Sequence, residues 1–181
     1  MPISPLAPTT ALIVVDLQVG TTSAPTAHPI DAVVSNALEI VASFRAAGRP
    51  IVVGSVDGTP VGKTVYGGGV REFPAPFADL VPGLEGDITA ARRTWSVFAG
   101  TDVHEKLAAS GVTQVVIVGL ATSFGVESTA RAAYDLGYSV VIVTDAITDR
   151  SLESHDNSIA RVFPALAELA TTAEVLTSIR G

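Results

Sequence analysis

The sequence predicts an α/β protein, a three-layer α/β/α sandwich around a parallel sheet of about six strands. Short β-branched runs alternate with longer amphipathic stretches over the 181 residues, which is the pattern of βαβ units. The β-branched runs are almost continuously apolar, as in strands that helices cover on both faces. The length suits a single domain, which we expect to span residues 1–181.

The first elements follow from apolar runs and stop signals. Thr10–Val15 (TALIVV) is predicted to be a buried strand because its residues are almost all apolar. Ile30–Ala47 is predicted to be a helix, with Pro29 near its first turn and Gly48 as its stop. Pro50–Val56 (PIVVGSV) is the second strand.

A long loop interrupts the pattern after the second strand. Residues 57–86 are rich in proline and glycine, including GGG at 68–70, and a loop of this length in a compact domain is usually a lid or a binding loop. Asp87–Arg92 is predicted as the third strand. The stretch Asp102–Ser110 is predicted as a helix that Gly111 closes.

The second half repeats the alternation of strand and helix. Gln114–Gly119 (QVVIVG) and Ser139–Thr144 (SVVIVT) are predicted as strands, with a helix at Ser123–Leu136 between them. A last helix is expected over about 152–169, and Glu174–Ser178 is predicted as a closing strand. Ligands of such sheets bind beyond the carboxyl ends of the strands, so the residues that follow each strand are candidates for a site.

Composition excludes several classes of function. Apolar residues make up 48% of the chain and charged residues 16%, which excludes a disordered chain. The formal net charge is −7 and the basic residues are scattered, so we expect no nucleic-acid partner and no anionic membrane surface. Without a long apolar run or a leader-like N-terminus, the chain is expected to be soluble and cytoplasmic. The sequence has no cysteine, which removes every thiol nucleophile.

Charged residues follow two of the predicted strands. Asp16 directly follows the first strand, and a carboxylate there is unfavourable unless it is paired or used in chemistry. The alternative is an aspartate that caps a nearby turn. Arg92 and Arg93, in AARRTWSVFAG, end the third strand. The alternative for each arginine is a side chain that extends into solvent without a role in a site. This alternative is the stronger one for Arg93.

Three motifs in order give the sequence a family resemblance. DLQ at 16–18, R-x-x-x-S-x-F-x-G-T at 92–101 and GLATSFGVESTARAA at 119–133 resemble motifs of the isochorismatase-like hydrolase superfamily, over about residues 10–178. The resemblance implies a sheet of order 3-2-1-4-5-6. It also implies a pocket formed by an aspartate, a lysine and, in the amide-cleaving members, a cysteine.

The sequence departs from the family's catalytic residues at two of three positions. Asp16 matches the aspartate, whereas Arg92 occupies the lysine position and Gly125 the cysteine position. Without a thiol, a covalent thioester route is closed. Isochorismatase itself, by the same resemblance, has glycine here and hydrolyses a vinyl ether. Arg92 does not exchange its proton, so Asp16 is left as a general base when ionised or a general acid when protonated.

The turn after the fourth strand is expected to supply main-chain donors. The family resemblance places a non-proline cis peptide near Leu120–Ala121. Amides at Ala121 and Gly125, close to a helix N-terminus, are expected to stabilise negative charge. Thr122 is a candidate for substrate binding. For the hydroxyls of Thr122 and Ser123, capping of the helix is the stronger alternative to direct chemistry.

The remaining candidates for substrate binding are mostly aromatic. Gln18 belongs to the DLQ motif, and the aromatic residues Trp95, Phe98, Phe124 and Tyr66 are expected to line an apolar cavity. Packing in the core or in an interface is the alternative for each aromatic side chain.

No metal or cofactor is predicted. The residues GSVDGTP, which follow the second strand, contain one carboxylate, Asp57, and no histidine, so the metal cluster expected there in nicotinamidases has no counterpart. His28, His104 and His155 are far apart in sequence, and surface or helix-end positions are expected for them. The glycine-rich stretches lack the motifs of phosphate and dinucleotide loops.

The sequence leaves three functional hypotheses. The first is a hydrolase of a small organic substrate that works without a covalent intermediate, with Asp16 as acid or base and Arg92 as its electrostatic partner. The second is small-amide hydrolysis by directly activated water. The third is a catalytically silent member that binds a small molecule or acts in an assembly. Family resemblance also implies a homo-oligomer, formed through segments near 66–80 and 123–137.

Overall fold

A parallel sheet forms the centre of the computed structural model, which describes residues 3–180. The strands of these residues are, in chain order, Thr10–Val15 (β1), Ile51–Val56 (β2), Lys63–Thr64 (β3), Gly67–Gly68 (β4), Ile88–Arg92 (β5), Gln114–Leu120 (β6), Ser139–Thr148 (β7) and Glu168–Ala170 (β8). The short strands β3 and β4 pair as a separate antiparallel hairpin. The other six strands form the central sheet, and all their pairings are parallel.

The order of the strands creates a crevice at the centre of the sheet. The order is β5-β2-β1-β6-β7-β8, which becomes 3-2-1-4-5-6 when only the strands of this sheet are numbered along the chain. The chain runs outward from β1 in one direction and, from β6, outward in the other. The topological switch point therefore lies between β1 and β6, where ligands of such sheets bind.

Helices cover both faces of the sheet. They are Val19–Thr22 (α1), Ile30–Ala46 (α2), Val103–Ala109 (α3), Glu127–Asp135 (α4), Leu152–Asn157 (α5) and Thr172–Arg180 (α6). Alternate residues of β1 belong to two separate apolar clusters: Leu12 packs with residues of α2 and α6, and Ile13 packs with residues of α3 and α4. This burial on both faces explains the continuous apolar runs and confirms the predicted α/β/α sandwich.

The end of the chain differs from the prediction. The closing strand predicted at Glu174–Ser178 is wrong, because these residues belong to α6. The sixth strand is Glu168–Ala170, inside the segment predicted as the end of a helix. A capping box starts α6: the Glu174 carboxylate accepts a hydrogen bond from the Thr171 amide at 2.8 Å, and the Glu174 amide donates to Thr171 Oγ1 at 3.3 Å.

Two further segments bear on the site. β7 continues to Thr148, four residues beyond its predicted end, and its pairing with β6 shifts register between Ile117 and Gly119. The predicted loop 57–86 lies outside the central sheet and contains the β3–β4 hairpin. Within residues 3–180 no helix has the length and apolar character needed to cross a membrane.

Candidate active site

Asp16 and Arg92 come from strands that are not neighbours. Asp16 directly follows β1 with a φ of 50°, a left-handed conformation that aspartate adopts more readily than most residues. Arg92 ends β5, and β2 lies between these two strands. Gly54 of β2 provides the space for the arginine, since a Cβ atom at Gly54 would lie 3.3 Å from Arg92 Nη1.

The two side chains form a buried, bidentate ion pair. Arg92 Nη1 donates to Asp16 Oδ1 at 2.6 Å, and Arg92 Nη2 donates to Asp16 Oδ2 at 3.0 Å. The same guanidinium donates to the carbonyl oxygens of Ser96 at 3.1 Å and Trp95 at 2.7 Å. Asp16 is 8% exposed and Arg92 4% exposed. The fork geometry of arginine thus fixes the carboxylate and the segment that follows β5 together.

Opposing effects act on the protonation of Asp16. Burial raises the pKa of the Asp16 carboxyl above its ordinary value, because the ionised form loses its hydration. The hydrogen bonds from Arg92 and its positive charge lower the same pKa. Burial is the larger effect, so the Asp16 carboxyl retains a proton at higher pH than an exposed aspartic acid does.

Gly125 lies against Asp16 in the turn after β6. The peptide bond between Leu120 and Ala121 is cis, at the place that the family resemblance implied. Residues Thr122–Val126 form a π-helical turn that leads into α4. A Cβ atom at Gly125 would lie 2.9 Å from the Leu120 carbonyl oxygen and 3.1 Å from Asp16 Oδ2. A side chain at this position would therefore crowd the Asp16 carboxylate and the backbone of the turn.

A cavity of about 480 Å³ opens above this pair, a size suited to a small organic ligand. Five of the residues predicted for the site line it: Asp16, Trp95, Ala121, Phe124 and Gly125. The Trp95 and Phe124 rings meet edge to face with their centroids 5.1 Å apart. Arg92 lies behind Asp16 and does not line the cavity. Its contact with a ligand would therefore be indirect, through the carboxylate.

Three residues predicted to bind substrate do not line the cavity. Gln18 is fully buried, where its side chain donates to the carbonyl oxygens of Val56 at 3.0 Å and Ala78 at 2.9 Å. Phe98 is buried in the core and stacks on Tyr138. Thr122 is fully buried. Main-chain hydrogen bonds for Gln18, core packing for Phe98 and a hydrogen bond to the His155 side chain for Thr122 account for these positions.

Tyr66 also lies elsewhere. It is 96% exposed on the connection between β3 and β4 and is not among the residues that line the cavity. Tyr66 was expected to line the cavity because it is aromatic, but the hairpin places its side chain in solvent.

Several cavity residues were missed by sequence reasoning. Phe73 and Phe77 of the long loop form part of the wall with ring centroids 4.7 Å apart, and Asp149 and Arg150 follow the extended β7. The rule that ligands bind beyond strand ends would have identified Asp149 and Arg150 if the end of β7 had been predicted correctly.

The part of the long loop that lines the cavity, which includes Phe73 and Phe77, is hydrogen-bonded to the main chain of the residues that follow β1. The amide of Gly20 donates to the Phe77 carbonyl oxygen at 3.0 Å, and the amide of Val81 donates to the Leu17 carbonyl oxygen at 3.1 Å. A Cβ atom at Gly20 would overlap the Phe77 ring. These contacts hold the second half of the loop over the cavity, as expected for a binding loop.

Two histidines meet behind the turn, although the sequence separates them. The rings of His28 and His155 have centroids 4.6 Å apart. His155 Nδ1 shares a hydrogen bond of 2.8 Å with Thr122 Oγ1, and His28 Nδ1 shares one of 3.0 Å with Thr148 Oγ1. Burial and the nearby His28 lower the pKa of His155. His155 lies in the last turn of α5, within the helix-end expectation, but it is buried and not on the surface.

The described residues 3–180 contain no group of three or more histidine, aspartate or glutamate side chains arranged to hold a metal ion. Three kinds of group meet at this end of the cavity: the Asp16 carboxyl, the Arg92 guanidinium behind it and the peptide groups of the turn.

The fold and site together define a three-layer α/β protein with an aspartate-based pocket at the switch point of its sheet. The isochorismatase domain model matches residues 10–174. The isochorismatase family protein YwoC of Bacillus subtilis is 37% identical over 184 residues, covering 94% of both chains. The protein YecD of Escherichia coli O157:H7, of the same family, is 35% identical, covering 96% of this chain and 97% of YecD.

A solved structure gives the same result. An isochorismatase family protein from Burkholderia thailandensis superposes with a TM-score of 0.92 at 31% identity, covering 97% of this chain and 98% of that chain. The chain therefore belongs to the isochorismatase family.

Proposed function

We propose that this protein hydrolyses a small organic molecule at an acid-labile bond such as a vinyl ether, with Asp16 as the proton donor and without a covalent intermediate. The observation that supports this most directly is the buried Asp16 carboxyl at the cavity, facing Gly125 where amide-cleaving relatives are expected to have a thiol. Water is the second reactant.

The hydroxyl groups of the turn are already engaged. Ser123 Oγ donates to Asp149 Oδ2 at 2.8 Å, and Thr122 Oγ1 bonds to His155. Neither residue lines the cavity, and the sequence has no cysteine. A covalent acyl intermediate on this turn therefore has no nucleophile to carry it.

The proposed reaction needs one proton from Asp16. The protonated carboxyl transfers its proton to the vinyl carbon, which leaves an oxocarbenium ion; the raised pKa of Asp16 favours the protonated form that this step requires. Water attacks the cationic carbon and returns a proton to Asp16. The resulting hemiketal breaks its original C–O bond, and the products are an alcohol and a carbonyl compound.

Arg92 is proposed as an electrostatic partner rather than an acid. Its guanidinium stays charged, and it faces both oxygens of Asp16. It therefore stabilises the carboxylate that forms after the proton has left. The peptide groups at Ala121 and Gly125 line the same cavity and are proposed to bind a negatively charged group of the substrate away from the cationic carbon.

The bidentate geometry supports a second candidate, water-mediated hydrolysis of a small amide. Two hydrogen bonds from a permanent cation favour the ionised Asp16, which would act as a general base toward water. This route lacks the advantage of an attached nucleophile, so slow turnover is expected.

A panel of vinyl ethers, amides and esters, followed by mass spectrometry, tests these proposals. In D₂O, the acid mechanism puts deuterium on the former vinyl carbon of the product, whereas amide hydrolysis adds no carbon-bound deuterium. Turnover should be lost in Asp16→Asn and kept in Asp31→Asn, whose carboxylate is exposed in the first turn of α2. Binding without any product would support the silent member of the family instead.

A homo-oligomer is proposed through the hairpin β3–β4. Val65 and Tyr66 on its turn are 98% and 96% exposed, and Val61, which precedes the hairpin, is 77% exposed. Exposed apolar side chains that lie close together commonly mark interaction sites. Tyr66→Ser combined with Val65→Ser should shift the protein to a smaller species in light scattering. An unchanged mass would contradict assembly through this hairpin.

A further inference from the structure

Two arginines at the cavity differ in their ionic surroundings. Arg93, which follows β5, has Nε 3.6 Å from Asp57 Oδ1 and donates from Nη2 to Glu72 Oε1 at 3.2 Å. Arg150, which follows the extended β7, is exposed and also lines the cavity. Its guanidinium forms no ion pair with any carboxylate in the part of the chain that the structure describes, residues 3–180.

The carboxylate nearest in sequence to Arg150 is occupied by other donors. Asp149 Oδ2 accepts from the amide of Ser123 at 2.7 Å and from its hydroxyl at 2.8 Å. Asp149 Oδ1 accepts from the amides of Arg150 at 2.7 Å and Ser151 at 3.3 Å. Four hydrogen bonds thus stabilise the Asp149 charge without the Arg150 guanidinium, which remains available to a ligand.

The rest of the wall is largely apolar. Phe73, Phe77, Trp95 and Phe124 contribute aromatic surface, and Leu120 contributes to the same wall. An apolar wall with few polar groups selects a ligand by its hydrophobic body and orients it by its polar end. Of the two arginines that line this cavity, Arg93 has carboxylate partners among the described residues and Arg150 has none.

We propose that the ligand of this cavity is a small carboxylic acid with an apolar, ring-sized body, and that Arg150 binds its carboxylate. The guanidinium fork matches a carboxylate with two parallel hydrogen bonds. The apolar body would contact the aromatic side chains that line the same cavity. Calling this ligand the substrate depends on the proposed hydrolase function, whereas its binding does not.

Trp95 makes the binding directly measurable. It is the only tryptophan of the sequence, and it lines the cavity in contact with Phe124. Its fluorescence is to be titrated with hexanoate, cyclohexanecarboxylate and phenylacetate, each compared with its own amide. The amides keep the apolar body and remove the charge. At least one carboxylate should bind about tenfold or more tightly than its amide, since charge-assisted hydrogen bonds are the stronger kind.

Variants then identify the residue responsible. Arg150→Gln should remove the preference for the carboxylate and leave amide affinity unchanged, and Arg150→Lys should retain part of the preference. Arg93→Gln, at the arginine that already has carboxylate partners, should retain it. Arg161→Gln changes the net charge equally at an exposed position outside the cavity and should also retain it.

Two results would overturn the inference: equal affinity for every acid and its amide in the unmodified protein, or an undiminished preference in Arg150→Gln. The hydrolase proposal fails separately. If carboxylates bind through Arg150 but no compound is hydrolysed, the ligand class stands and the proposed activity falls. If only neutral compounds are hydrolysed, in a reaction that depends on Asp16, the activity stands and the ligand class falls.

Discussion

The absent side chain of Gly125 and the carboxylate of Asp16 are sterically coupled: a Cβ atom at 125 would lie 3.1 Å from Asp16 Oδ2. The same atom would lie 2.9 Å from the Leu120 carbonyl oxygen, which belongs to the backbone and does not move easily. The turn therefore has no room for any side chain at position 125, whether of cysteine or of another residue.

Gly125→Ala and Gly125→Cys are expected to reduce both activity and stability. The added Cβ must displace the turn or Asp16, and overpacking of this kind lowers the free energy of unfolding by about 1–3 kcal/mol. Gly125→Cys should not gain activity toward amides. Urea denaturation and product analysis measure the two effects.

Gly62→Ala is the matched control for this substitution. Gly62 has no heavy atom within 4 Å of the position of an added Cβ and no unfavourable φ. Its unfolding free energy should change by less than about 0.5 kcal/mol. A Gly125→Cys protein as stable as the original, with Asp16-dependent activity intact, would show that the turn has more room than the structure gives it.

Asp16→Asn separates charge from shape at the centre of the site. Asparagine adopts the left-handed conformation that Asp16 has, with φ of 50°, so the backbone should be retained. Turnover should disappear because the amide does not transfer the proton. The unfolding free energy should fall by about 3–5 kcal/mol, because Arg92 becomes a buried cation without its partner.

The double variant Asp16→Asn with Arg92→Met tests the cause of that destabilisation. Removing the cation as well should restore part of the stability while activity stays lost. If the double variant is less stable than Asp16→Asn by the full effect of Arg92→Met alone, the two side chains are not coupled. Denaturant titrations of all four proteins complete this cycle.

The sequence was sufficient for the α/β sandwich and for the expectation that Asp16 and Arg92 lie on one edge of the sheet, for physical reasons. The strands buried on both faces are continuous apolar runs, and the residues after them, Asp16 and Arg92, meet because parallel strands end on one edge. The family motifs added the sheet order and the cis peptide at Leu120–Ala121. Gly54 of β2 leaves space for the Arg92 side chain to reach Asp16 across that strand. This glycine was not recognised in the sequence as a sign of such a contact.

The remaining features depend on contacts that sequence periodicity does not report. Gln18 and Thr122 carry polar groups in motif positions, but their partners, Val56 and His155, lie far away in sequence. The strand Glu168–Ala170 is only three residues long, too short to show a period. The apolar residues of α6 were read as a strand because the capping signal at Thr171 was overlooked.

Arg92→Lys is expected to lower both stability and activity even though the charge is retained and the family resemblance implies a lysine at this position. Lysine has no fork to reach both Asp16 oxygens. It also leaves the Ser96 and Trp95 carbonyl oxygens without the donors that Arg92 provides. Loss of such buried hydrogen bonds should lower the unfolding free energy by about 2 kcal/mol.

Arg93→Lys provides the comparison for Arg92→Lys at the adjacent position. The Arg93 side chain is 42% exposed and its ion pairs are on the surface, so the unfolding free energy should change by less than about 1 kcal/mol. Equal effects of the two substitutions would contradict a specific role for the Arg92 fork.

Stability should depend on pH through His155. Its pKa in the folded protein lies below the ordinary value of 6.5, first because burial disfavours the charged ring and second because His28 is near; Asp156 and Asp149 act in the opposite direction. The unfolded chain therefore binds this proton more readily than the folded protein. The contribution to the unfolding free energy is complete above pH 6.5 and decreases as the pH falls through 6.5 toward the lower folded pKa.

Urea denaturation of the unmodified protein and of His155→Gln, at several pH values from about 7.5 to 5, measures this effect. Glutamine can bond to Thr122 Oγ1 but does not titrate, so the pH dependence of the unfolding free energy should become shallower in the variant. His104→Gln, which removes a histidine bonded to Tyr138 instead, is the comparison variant, because it leaves the contact between His155 and Thr122 in place. The same slope in His155→Gln and in the unmodified protein would mean that the buried ring behind the turn is protonated as readily in the folded protein as in the unfolded chain.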